Sequence, residues 1–164
     1  MILVLDASLL ITLARISSLG LLPQLADQIV IPNAVYAESV SRTPGRPGNV
    51  EIAHADWITC RTVENQAQVQ QLCTRVGLGE AEAIILAREI GADAIVVLDD
   101  ATARRLAEQE GCRVVGLLGL LVVAKQRGML STVRPLLDAM RNSGFFVGDE
   151  LYARILRQVD EEIV

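Results

Sequence analysis

Uninterrupted apolar runs recur along this chain, separated by longer stretches with helical period. Residues 2–5, 29–31 and 95–98 carry no polar position at all, the pattern of strands covered on both faces of a parallel sheet. A further strand is expected at 113–115, and 57–63 reads either as a strand or as an edge segment. Between the runs, apolar residues return every three to four positions. The spacing predicts helices from Asp6-Ala7-Ser8 through Ile16 and over 20–26, 33–40, 66–75 and 79–90. Others are expected over 101–110, 117–127, 133–142 and 150–161. Pro32 suits the first turn of one of them, and Gly91 suits a C-cap. Thr43-Pro44-Gly45-Arg46-Pro47-Gly48 is the clearest loop. Strands alternating with helices imply βαβ units with right-handed crossovers. The fold expected is α/β, a three-layer α/β/α sandwich with a mostly parallel sheet. The strands at 2–5 and 95–98 should be central in it and parallel to each other.

Composition narrows this reading. The 164 residues are 51% hydrophobic and only 3% aromatic, so Leu, Ile, Val and Ala must build the core of what should be one domain, residues 1–164, with a helical C-terminal extension from about 116. No export or membrane segment is expected. The N-terminus lacks a positive region and Asp6 breaks its apolar start, while the longest uncharged run, between Arg113 and Lys125, is too short to span a bilayer. Cys60, Cys73 and Cys112 form no closely spaced pair, which points to free thiols and a cytoplasmic protein.

The net charge is −5, which argues against a nucleic-acid partner. Its distribution softens the argument. Asp149, Glu150, Asp160, Glu161 and Glu162 against Arg154 and Arg157 place −3 of it in residues 149–164, leaving −2 for the rest. Four carboxylates committed to a metal would leave the remaining surface at +2.

Acids stand where an α/β fold binds ligands. Open α/β sheets take ligands outside the carboxyl ends of their strands; Asp6 follows the first strand and Asp99-Asp100 follows the strand at 95–98. Each is equally well read as a helix N-cap. Glu38 shares a helical stripe with Ile31 and Val35, if the helix reaches back that far, and Glu80 shares one with Ile84 and Ala87. Both stripes are apolar and should face the core, where a carboxylate needs a cation. The plainer readings are a solvated face for Glu38 and a dipole-favoured first-turn acid for Glu80. Glu82 groups with Glu89 on a charged face, and both are expected in solvent. Acids converging from four elements would need a cation, and oxygen-only ligands suit Mg²⁺ or Mn²⁺. The single histidine, His54, reads as surface loop, which leaves no zinc site and no Ser–His–Asp or Cys–His site. Gly116-Leu117-Leu118-Gly119 fits neither nucleotide fingerprint.

The ordered set Leu3-Val4-Leu5-Asp6-Ala7-Ser8, Ile31-Pro32-Asn33-Ala34-Val35-Tyr36-Ala37-Glu38, Gly79-Glu80-Ala81-Glu82-Ala83-Ile84 and Val97-Leu98-Asp99-Asp100 resembles the PIN-domain family. Within it, the chain looks like the PIN-like nucleases related to VapC toxins, which also carry segments like Arg104-Arg105-Leu106-Ala107 and Val114-Val115-Gly116. The resemblance implies a metal-dependent endoribonuclease, often the toxin of a toxin–antitoxin pair, with Asp6, Glu38, Glu80 and the Asp99/Asp100 position carrying Mg²⁺ or Mn²⁺. Asp6, Glu80 and Asp100 would be the principal ligands, Glu38 and Asp99 outer ones, and Ser8 would support Asp6. Many relatives have Asp where this chain has Glu80. The partners implied are an RNA substrate, an antitoxin protein and a second copy, a homodimer built partly from the apolar C-terminal half. Arg104 and Arg105 are either phosphate contacts or solvated helix charges. Two alternatives remain: a non-catalytic PIN-fold binding module, and an aspartyl-phosphate receiver or dehalogenase-like domain. The latter would want an Asp where this chain has Ser8, or an acidic pair at its first strand.

Overall fold

The computed structural model describes residues 1–42 and 44–161; Thr43, where the sequence loop starts, and residues 162–164 lie outside it. The chain divides into two compact units, 1–116 and 117–164.

The first unit is built on five parallel strands: β1 (Ile2–Leu5), β2 (Gln28–Pro32), β3 (Ile58–Arg61), β4 (Ala94–Val97) and β5 (Arg113–Val115), in the order β3-β2-β1-β4-β5. β1 lies at the centre with β4 beside it, in parallel register from Ile2↔Ala94 to Leu5↔Val97. Leu3, Val4 and Leu5 are at most 1% exposed. Successive residues of a strand point to opposite faces, so burial of all three means that both faces are covered, as uninterrupted apolar runs require. β3 is an edge strand whose Thr59, Cys60 and Arg61 are exposed.

Helices α1 (Ala7–Arg15), α2 (Leu22–Leu25), α3 (Asn33–Tyr36), α4 (Asn49–Ala53), α5 (Gln66–Leu72), α6 (Leu78–Ile90) and α7 (Ala101–Gln109) complete this unit. One core joins Val4, Val30 and Val96 of the sheet to Val69 of α5, Ile84 and Ile85 of α6 and Leu106 of α7. Leu9, Leu10 and Leu13 of α1 are buried outside that cluster, so α1 belongs to the opposite layer. The result is a three-layer α/β/α sandwich. The chain leaves β1 for β2 on one side and later returns to β4 on the other. A crevice therefore opens at the carboxyl ends of β1 and β4, the topological switch point of the sheet.

α4 was not expected from the sequence, and two helices differ from their sequence reading in ways that bear on the site. The helix expected over 33–40 is α-helical only to Tyr36 and widens to a π-helical turn over Ala37–Ser41. α6 is buried from Ala81 through Ala87, Glu82 included. Its exposed charges, Arg88 and Glu89, lie only in its last turn, and α3, α5 and α7 pack against it.

The second unit holds α8 (Leu117–Gln126), α9 (Arg134–Asn142) and α10 (Asp149–Gln158). Val133 N–H and Arg134 N–H donate to Glu161 Oε1 and Oε2 at 2.6 and 2.9 Å, so an acid beyond α10 caps the start of α9. Among the described residues no single helix is long and apolar enough to cross a membrane, and all three cysteines are free thiols.

Candidate metal and nuclease site

Asp6 ends β1 and caps α1: Leu9 N–H donates to its Oδ1 at 2.9 Å. The cap explains why Asp is favoured there, but not the surroundings. Asp6 is 5% exposed, and its carboxyl is pushed up from 3.8 to about 7. Burial is the largest cause. The Leu9 bond opposes it, and repulsion from Asp99, Glu80 and Glu38 adds to it. Glu80 is raised as well, first by burial and then by repulsion from Asp100 and Glu38, against the bond it accepts from Gly77 N–H at 3.0 Å.

Five carboxylates thus share one field at the switch-point crevice. Asp6 feels three of the other four, Asp99 most strongly. The Asp99-Asp100 doublet divides: Asp99 acts on Asp6 and Asp100 on Glu80. Asp100 is the N-cap of α7, accepting from Ala103 N–H at 2.8 Å. Glu38 arrives on the π-helical turn, so its spacing from Val35 is not that of an α-helical stripe, and it is half-buried. Its carboxylate lies over α6, with Oε1 2.8 Å from where a Cβ on Gly79 would stand. Asp99 Oδ1 is likewise 3.1 Å from a Cβ built on Gly116, and Arg104 Nη1 is 3.5 Å from the same point. Ser8 is exposed.

Glu82 corrects the sequence reading. It is 8% exposed, and Ala34 N–H donates to its Oε2 at 2.9 Å. Pro32, the N-cap of α3, has no side-chain acceptor, and Glu82 supplies one from α6. It therefore ties the helix that leads to Glu38 onto the helix that carries Glu80. Glu89 is exposed as expected and accepts from Glu64 N–H and Asn65 N–H ahead of α5. The signal for Glu82 was its position between Ala81 and Ala83, ahead of the apolar run Ala83–Ala87.

A divalent cation suits this donor set, which is oxygen-only and in mutual repulsion. Among the described residues, however, no three His, Cys, Asp or Glu side chains already form a coordination shell. Asp6, Glu80 and Asp100 each accept a backbone N–H with one oxygen. One oxygen of each is left for a cation.

Acids at the switch point of an α/β sandwich stand where such sheets take their ligands. A family model described as a PIN domain matches residues 2–161, and the chain belongs to the PIN-domain family. PIN domains are generally nucleases, and they usually use divalent metals. No curated protein matches the chain.

Proposed function

We propose that this protein is a Mg²⁺- or Mn²⁺-dependent endoribonuclease whose cation is held by Asp6, Glu38, Glu80 and Asp99, with Asp100 at the margin. The observation that carries this reading is the Asp6 carboxyl, buried against three further acids and raised to about 7. Such a group is a poor structural element without a counter-ion. When bound, the cation would polarise the phosphate and acidify a water for attack. Asp6 and Asp99 follow adjacent parallel strands, and the Glu38 carboxylate lies against the first turn of α6, which carries Glu80. Arg104, beside Asp99, offers a guanidinium to a substrate phosphate.

The test is Mn²⁺ titration by calorimetry, followed by cleavage of a pooled RNA by the wild type and by Asp6→Asn. Saturable binding and cleavage, both lost in the variant, are expected. Cleavage that survives Asp6→Asn would refute the assignment.

The absence of a ready coordination shell among the described residues favours a second reading, a PIN-fold binding module without catalysis. RNA binding without Mn²⁺ affinity would establish it. The likeness of the motif residues to VapC relatives supports a toxin with a protein antitoxin, acting in the cytoplasm as a homodimer. Growth arrest on expression, and a dimer in sedimentation, are the outcomes expected.

A further inference from the structure

Two glycines at the acid cluster are not there for backbone freedom. Gly79 and Gly116 are absent from the glycines with positive φ. Gly79 lies inside the first turn of α6, where alanine is the better helix former. The position is nevertheless closed to a side chain. A Cβ there would stand 2.8 Å from Glu38 Oε1 and 3.2 Å from both Glu38 Cδ and Oε2. Real Cβ contacts essentially never fall below 3.0 Å, so the carboxylate would have to move. Gly116 shows the same arrangement in milder form, 3.1 Å from Asp99 Oδ1.

We infer that Gly79 is a positioning residue: the bare Cα of the α6 first turn is the seat on which the Glu38 carboxylate rests, and that seat holds Glu38 beside Glu80 and sets the affinity of the cluster for a divalent cation. Glu38 itself comes from the π-helical turn over Ala37–Ser41. The N-terminus of a thirteen-residue helix also favours a carboxylate laid against it. Gly116 does the same for Asp99 with a smaller effect, since a contact of 3.1 Å is relieved by a shift of a few tenths of an ångström. This inference rests on the proposed carboxylate cation site.

The displaced atoms in Gly79→Ala are the free end of a flexible side chain, so the variant should fold with a melting temperature equal to or above that of the wild type. Mn²⁺ is then titrated by calorimetry into four full-length proteins: wild type, Gly79→Ala, Glu38→Ala and the double variant. Gly79→Ala should bind Mn²⁺ about tenfold or more weakly, the range found when groups that orient metal ligands are altered. In the Glu38→Ala background the same glycine substitution should change affinity by less than about twofold, since its effect passes through the missing carboxylate. Gly116→Ala should weaken binding by a smaller factor. Unchanged affinity in Gly79→Ala overturns the inference, as does an equal loss with and without Glu38. If the wild type itself binds no Mn²⁺, the carboxylate-site reading falls first and takes this one with it.

Discussion

Replacing Asp6 by Asn keeps the shape of the side chain and removes its charge. The amide oxygen can still accept from Leu9 N–H, so the α1 cap survives. The titration does not. In the folded protein the Asp6 carboxyl is raised from 3.8 to about 7. A carboxyl raised on folding stabilises the fold while it is protonated. That contribution is complete below pH 3.8, declines as pH climbs, and is gone above about 7. At about 1.4 kcal/mol per pH unit, a rise from 3.8 to about 7 is worth about 4 kcal/mol. At 5% exposure little solvent screens it, though water penetration would reduce it, so about 2 kcal/mol is the smallest change consistent with the site. Urea denaturation of both proteins in EDTA, from about pH 4.5 to about pH 8, isolates this residue because Glu80 titrates in both. Asp6→Asn should gain on the wild type by about 2–4 kcal/mol across that range. Added Mn²⁺ should then stabilise the wild type and leave the variant nearly unmoved. Parallel pH curves would mean that Asp6 is not dehydrated among like charges, and the case for a cation site would lose its support.

Glu82→Ala should cost about 2 kcal/mol in denaturant titration, because it leaves Ala34 N–H buried without its charged acceptor. Glu82→Gln should cost less than about 1 kcal/mol, since its amide oxygen can still accept, and the exposed Glu108→Gln is the inert control. Glu161→Ala should lower stability by about 1–2 kcal/mol through loss of the α9 cap, with RNA cleavage unchanged. Arg104→Ala should weaken RNA cleavage at least tenfold more than Arg105→Ala does. Arg104 stands beside Asp99, whereas Arg105 Nε turns back to its own helix at Ala101 O. Equal effects would return both to the role of solvated charges.

The central strands were legible because burial on both faces leaves no polar position to interrupt a run, and β1 and β4 obey that rule. β3 does not: Thr59, Cys60 and Arg61 face solvent at the sheet edge, which is why the segment 57–63 could be read as strand or edge. Asp6 and Asp99 could be placed from topology alone, as residues following strands that end at one crevice. Glu38 and Glu82 were harder for opposite reasons. A π-helical turn breaks the period on which the Glu38 stripe depended, and Glu82 lies in the stretch Ala81–Ala87 that neighbouring helices bury on every side, although Glu89 on the same helix is exposed. The N-cap bonds of Asp6 and Asp100 were legible as cap preferences, whereas the reach of Glu80 back to Gly77 N–H was not.

The pairing of β1 with β4 also bears on when this molecule could first act. Residues 2–5 leave the ribosome at the outset and residues 94–97 much later, yet they are hydrogen-bonded neighbours. Closing so long a loop is slow, and Asp6 meets Asp99 only once it has closed. Until Asp99 has been made, the nascent chain carries the first acid without its partner. A product truncated before β4 never acquires the cluster.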